Sequence, residues 1–238
     1  MNEKDTIRHR VWNTLTNEKL GRFPFPLKKR IPNFKGAEQA AHHVTTLPIY
    51  QKAKAIKVNP DAPQLPLRTQ ILIDGKILLV PTPRLRAGFI VVKPEWVPKG
   101  EERKAASIKH MRTYGKEVSL TDIPSIDLFV AGSVAVTKDG KRIGKGEGYS
   151  DREYAILLEL GHPHMPVIST VHSVQVVDED VPKDPYDLIV DWVVTEKGCL
   201  QTNSPYDKPS GILWEKVTEE ERNEMPVLNE LYQLKKDK

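Results

Sequence analysis

The chain has 238 residues, 39% hydrophobic and 29% charged, with 36 Lys and Arg against 32 Asp and Glu for a net charge of +4. That length supports one sizeable core, and the mixing of both signs along the chain excludes a polybasic nucleic-acid tail as its organising feature. No apolar run approaches the roughly 18 residues of a bilayer span, MNEKDTIRHRVW lacks the apolar stretch of a secretory signal, and the single Cys199 admits no internal disulfide, so the expectation is a soluble, cytoplasmic protein with no membrane partner.

In chain order, Ile7, Val11 and Leu15 recur every four residues and predict an amphipathic helix over 3–19, with Lys4 and Arg8 four apart on its polar side. FPFPLKKRIP reads as a connector, because each proline lacks a donor and biases its predecessor away from helix. A helix over 36–50 and a short buried strand over 55–59 follow. The prolines of NPDAPQLPLR lead into a helical or irregular piece ending at the Asp74-Gly75 turn. Strands are predicted over 77–80 and 89–92, a helix over 101–111, and one central strand over the long apolar run LFVAGSVAV, 128–136. Asp139-Gly140 marks a hairpin-type turn. Beyond it come a helix over 151–160, strands over 167–171, 174–177 and 188–194, and a last amphipathic helix near 226–234. Strands alternating with helices indicate an α/β fold with a mostly parallel sheet covered on both faces. No repeat or composition break splits it, so residues 1–200 read as one α/β domain and 201–238 as a C-terminal extension packed on it.

The segment RIGKGEGYSDREYAILL carries the chemistry. Gly144, Gly146 and Gly148 alternate immediately before a helix, a pattern that lets several main-chain N–H groups converge on an anion at the positive end of a helix dipole. Ser150 and Glu153 have capping-box spacing, which would start the helix there and leave Tyr149 at the lip of the loop. Lys145 and Arg152 add positive charge.

Lys4 and Arg8 on one helix face, the Gly-rich loop after a β-rich segment, and the Pro-flanked delivery of Asp187 in VPKDPYDLIVDWVV together resemble the 5-formyltetrahydrofolate cyclo-ligase (methenyltetrahydrofolate synthetase) family. IPNFKGAEQAA, NPDAPQLPLR and LLVPTPRL are similar to a divergent branch of it, the methenyltetrahydrofolate synthetase domain-containing proteins. The resemblance is closest over 128–196, looser over 3–196, and leaves the rest unexplained. It implies a three-layer α/β/α sandwich like that of the sugar-phosphate isomerases and CoA transferases. It implies an enzyme that uses ATP and Mg²⁺ to phosphorylate the formyl oxygen of 5-formyltetrahydrofolate and to close the ring to the 5,10-methenyl form. The implied partner is a reduced formyl-folate or modified pterin, and the implied assembly a monomer or homodimer.

Carried onto this sequence, the resemblance implies that Lys4 and Arg8 hold ATP phosphates together with the loop Gly144, Lys145, Gly146, Glu147, Gly148 and Tyr149. Lys145, Tyr149 and Arg152 would be catalytic, and Asp151 and Asp187 would support Mg²⁺. The chain departs from the pattern at Ser150, where an aromatic residue is usual, and at Glu147, where glycine or lysine is. It also lacks the glutamate that grips the pterin, offering Pro66 or Leu67 with Arg68 close by. A nucleotide- or RNA-binding relative without turnover is the alternative, and a sugar-phosphate isomerase or CoA transferase a further one that lacks an acidic nucleophile in a suitable loop. His42, His43, His162 and His164 come without zinc spacing, and Cys199 reads as an inert thiol.

Overall fold

The computed structural model describes residues 2–236. The chain opens with α1 (Glu3–Asn17), then a short ribbon β1 (Gly21–Arg22) and β2 (Asn33–Phe34), α2 (Ala37–Thr45), α3 (Pro48–Lys52), β3 (Ala55–Val58), α4 (Leu65–Ile73), β4 (Ile77–Pro81) and β5 (Phe89–Val92). It continues through α5 (Glu102–Ala106), α6 (Met111–Tyr114), β6 (Lys116–Val118), β7 (Leu128–Ala131), β8 (Ala135–Thr137), β9 (Arg142–Ile143) and α7 (Tyr149–Glu159). The last elements are β10 (Val167–Thr170), β11 (Val176–Val177), β12 (Trp192–Thr195), β13 (Gly198–Gln201), α8 (Glu219–Glu224) and α9 (Pro226–Lys236).

The main sheet runs β13-β12-β10-β7-β3-β4-β5-β6. Its centre, from β12 to β4, is parallel; β13, β5 and β6 run antiparallel at the edges. Period-two alternation divides the buried side chains between two layers. Ala55, Leu79, Phe129 and Val167 pack beneath α7 and α9, whereas Ile56, Leu78, Val80, Val130 and Ile168 pack against α2, α4 and α5. The result is the expected three-layer α/β/α sandwich with a mostly parallel sheet. No described helix is long and apolar enough to cross a membrane.

Five predicted elements require correction. The helix over 36–50 is two helices, because Pro48 cannot continue the hydrogen-bond ladder and instead opens α3. The helix over 101–111 breaks at Ser107, whose backbone is extended and whose hydroxyl donates to the Lys104 carbonyl at 2.7 Å. The apolar run 128–136 is not one strand. It leaves the main sheet at Gly132, where an added Cβ would sit 2.9 Å from Ile31 Cγ2, and resumes as β8 in a separate three-stranded sheet, β11-β8-β9. The strand over 174–177 shortens to β11, and that over 188–194 begins only at Trp192 because the Asp191 carboxylate accepts from the Val167 amide at 2.7 Å. The edge strands β6 and β13 are additional.

The small sheet packs on α1: Ile7, Val11, Trp12 and Leu15 share a core with Val134, Ala135, Ile143 and Val177. At the other end of the chain, Met225, Val227, Leu228 and Leu231 are buried in the same cluster as Phe129 and Tyr154. Because Leu228 has no exposed surface, Leu228→Ala should cost about 2–5 kcal/mol, measurable as a lowered urea midpoint with unchanged slope.

Candidate functional site

In an open α/β sheet ligands bind beyond the carboxyl ends of the parallel strands, where neighbouring connections diverge. Here the exit of β3 delivers Asn59, Pro60 and Asp61, and the exit of β4 delivers Thr82, Pro83 and Arg84; both line a cavity of about 560 Å³. The opposite wall is Arg142, Gly144, Lys145, Glu147, Gly148 and Tyr149. The loop hangs from β9, so the small sheet and α1 set its position.

Two of its glycines are required by conformation: Gly146 has φ 109° and Gly148 φ 70°, the left-handed region. None of the backbone amides of residues 145–151 meets a protein acceptor among the described residues; the first to do so is Arg152, bonded to the Gly148 carbonyl at 3.1 Å. Such a row of free donors at the start of α7 has the chemistry to take an anion. The capping box is absent. Gly148 occupies the cap position with no side-chain bond, and α7 starts at Tyr149. Ser150 and Glu153 turn inward instead.

Their partners form a buried polar network that sequence reasoning missed. Lys57, on β3 and wholly buried, is paired with Glu153 and donates to Asn59 Oδ1 at 2.7 Å, with its amine 3.9 Å from the centre of the Phe129 ring. Asn59 in turn donates to Ser150 Oγ at 2.7 Å. Burial pushes the Lys57 amine down and the Glu153 carboxyl up, with each opposing that shift in the other. The signal was a lysine inside the apolar strand AIKV, which a buried strand tolerates only when paired. Asp61 was also missed. Its carboxyl, raised by burial against the pull of Lys145 and Arg68, faces the cavity. Arg68 does not line that cavity; it is buried and donates to the carbonyls of Asn59 (2.7 Å), Asp61 (2.9 Å) and Ala106 (3.0 Å), bracing the loop that carries Asp61.

Of the two α1 cations, Arg8 reaches the loop and Lys4 the segment bearing Asp187; neither lines this cavity or the one adjoining it. Arg8 Nε donates to the Gly144 carbonyl at 2.7 Å, its Nη1 pairs with Asp5 at 2.5 Å, and its guanidinium lies over Gly146. Lys4 bonds Asp187 at 2.6 Å and Asp184 at 2.9 Å. Burial alone would pull its amine down, but the two carboxylates hold it above the ordinary lysine value. Lys145 pairs with Glu147 at 2.9 Å, and Glu147 lines both cavities. Tyr149 lines the cavity, its phenol pushed up by burial and then by Glu147.

Asp151 and Arg152 face a second cavity of about 510 Å³ that shares Glu147 and Gly148 with the first. Asp151 Oδ1 accepts from the Leu188 amide at 2.8 Å and from Arg142 at 3.2 Å, which draws the segment bearing Asp187 against α7. Arg152 is bound through two nitrogens to Glu221, at 2.5 and 2.9 Å. Among the described residues no group of three or more His, Cys, Asp or Glu stands close enough to cage a metal unaided.

The model of the 5-formyltetrahydrofolate cyclo-ligase family matches residues 1–196. The chain belongs to that family. Methenyltetrahydrofolate synthase domain-containing proteins of Mus musculus and Bos taurus are 44% and 43% identical to it over 98% and 96% of its length. The chain spans 64% and 61% of the lengths of those relatives. The NMR structure of the Aquifex aeolicus 5,10-methenyltetrahydrofolate synthetase superposes with a TM-score of 0.54 at 21% identity, covering 86% of this chain and 95% of that one. It shares the fold.

Within this family architecture, the Lys57 and Glu153 pair joins β3 to the helix that bears the loop. Lys57→Met should destabilise the protein by about 3–5 kcal/mol, since Glu153 is left buried without a partner. The double variant Lys57→Met/Glu153→Leu should recover most of that loss in chemical denaturation.

Proposed function

We propose that this chain binds ATP and 5-formyltetrahydrofolate, or a related formyl-pterin, and closes it to the 5,10-methenyl form. The observation that carries the reading is the row of unengaged amides at 145–151 beside two adjoining cavities, in a chain of the cyclo-ligase family. In the reaction the formyl oxygen accepts the terminal phosphoryl group, N10 then bonds to the activated carbon, the C–O bond breaks with the oxygen leaving on phosphate, and the N10 proton departs. ATP supplies the phosphoryl group, and Mg²⁺ offsets the charge of the phosphates.

The chain's own contribution is positioning and charge. The loop amides donate to phosphate oxygens, and Arg8 fixes the loop by donating to its Gly144 carbonyl. Lys145, released from a partly exposed pair with Glu147 that is worth little, follows the phosphate. Tyr149 and Arg84 stand on the wall of the first cavity, and Arg152 on that of the second. Asp61 offers the carboxylate that accepts from the donor edge of a pterin, the role for which the sequence shows no glutamate. Mg²⁺ is a hard ion satisfied by one or two carboxylates plus phosphate oxygens. Asp151 fits that need, because both its bonds are taken by Oδ1, and Asp187 supports the same wall through Lys4. The reading includes a cytoplasmic location, a single body in which 201–238 extends the domain of 1–200, and a monomer or homodimer.

The assay is direct: purified protein with ATP, Mg²⁺ and 5-formyltetrahydrofolate should generate the methenyl absorbance. ATP binding with no absorbance from any reduced formyl-pterin would leave the non-catalytic nucleotide- or RNA-binding alternative standing. Gly146→Val forces a branched residue into the left-handed region and should weaken ATP binding roughly tenfold or more, about 1.4 kcal/mol, with a melting temperature lowered by several degrees from the backbone strain. Asp61→Asn should raise KM for the pterin while leaving KM for ATP within about twofold, the split expected when a contact serves only one substrate.

A further inference from the structure

The second cavity is closed by residues that lie outside the family-matched stretch. Gly211, Lys216 and Glu221 form one side of it, facing Gly146, Gly148 and Asp151 on the other. This wall is fixed to the body. The Ile212 amide donates to Glu159 Oε1 at 3.1 Å, Trp214 packs on Tyr232 with ring centres 5.3 Å apart, Glu221 binds Arg152 through two nitrogens, and Met225 is buried in the main core.

The charges lining the cavity are Arg152 and Lys216 against Glu147, Asp151, Asp184 and Glu221. An incoming polyphosphate meets Arg152 with two of its nitrogens already held by Glu221. Lys4, Lys145, Arg8 and Arg142 nearby are each engaged with a carboxylate. Lys216 has no carboxylate within 4.0 Å among the described residues; its amine lies 5.7 Å from the centre of the Tyr186 ring, an orientation that leaves its donors available. Asp184 feels its charge, as the carboxyl is held low first by Lys4 and more weakly by Lys216.

We propose that Lys216, on the C-terminal extension, is an anion-binding residue of the second cavity that contacts the polyphosphate of the nucleotide, so that the site is incomplete without residues 211–221. This rests on the nucleotide reading given above. Because Lys216 is exposed and outside the core, its replacement leaves the fold intact, and a matching melting temperature verifies that.

The test is calorimetric titration of the full chain with MgATP and, separately, with inorganic tripolyphosphate. Lys216→Ala should weaken both about five- to tenfold at low salt, with the deficit shrinking as ionic strength rises. Lys216→Arg should stay within about twofold of the parent, since the charge is kept. Equal affinities of the parent and Lys216→Ala for both probes would overturn the inference and leave the nucleotide reading untouched. A loss confined to MgATP would also overturn it, by assigning Lys216 to the nucleoside. Failure of the parent chain to bind either probe would remove both readings.

Discussion

The site depends on one buried ion pair. Lys57 and Glu153 are taken out of water together, a costly arrangement that persists only because each satisfies the other. Through it the central strand β3 grips the first turns of α7, and Asn59 with Ser150 repeats the grip two residues further along the chain from Lys57. The beginning of α7, which has no side-chain cap, is held by tertiary bonds to the sheet, and these set the direction of its free amides. The same bonds place Asp61, two residues beyond Asn59, on the wall of the first cavity.

A second constraint is the departure of the chain from the main sheet at Gly132. It creates a small sheet with its own apolar face, and α1 covers that face. Arg8 thereby comes to lie over Gly146 and to bond the carbonyl of Gly144. Two regions far apart in sequence meet because a strand ends where a side chain would collide with Ile31 and Gln64. The loop is thus supported from below by β3 and from the side by α1.

Much of this was legible in the sequence, for reasons that can be named. The spacing of Ile7, Val11 and Leu15 gave α1 its buried face, and the short apolar runs around Ile56, Leu78 and Ile90 marked strands because nothing in them competes with extension. The glycines marked the loop by the backbone freedom it needs. What the sequence concealed are choices made by distant partners. Ser150 and Glu153 have the spacing of a local cap, yet Asn59 and Lys57 bind them more profitably across the core. The run through Ala131 and Ala135 is apolar enough to read as one strand, and the crowding at Gly132 divides it. Arg68 stands close to the position where the family has an acid, yet three carbonyls hold it inside the fold. Glu221 gave no signal, since its partner Arg152 lies 69 positions earlier.

The internal pairing of the cations around the loop has a consequence for what the cavities admit. Lys4 with Asp187, Arg8 with Asp5, Arg142 with Asp151, Lys145 with Glu147 and Arg152 with Glu221 cancel at close range. These pairs themselves project little field into solution, so any long-range attraction falls to lining cations outside them, Arg84 and Lys216 among them. On the proposed reading, discrimination by shape belongs to the fixed N–H vectors of residues 145–151, which match a compact tetrahedral oxyanion.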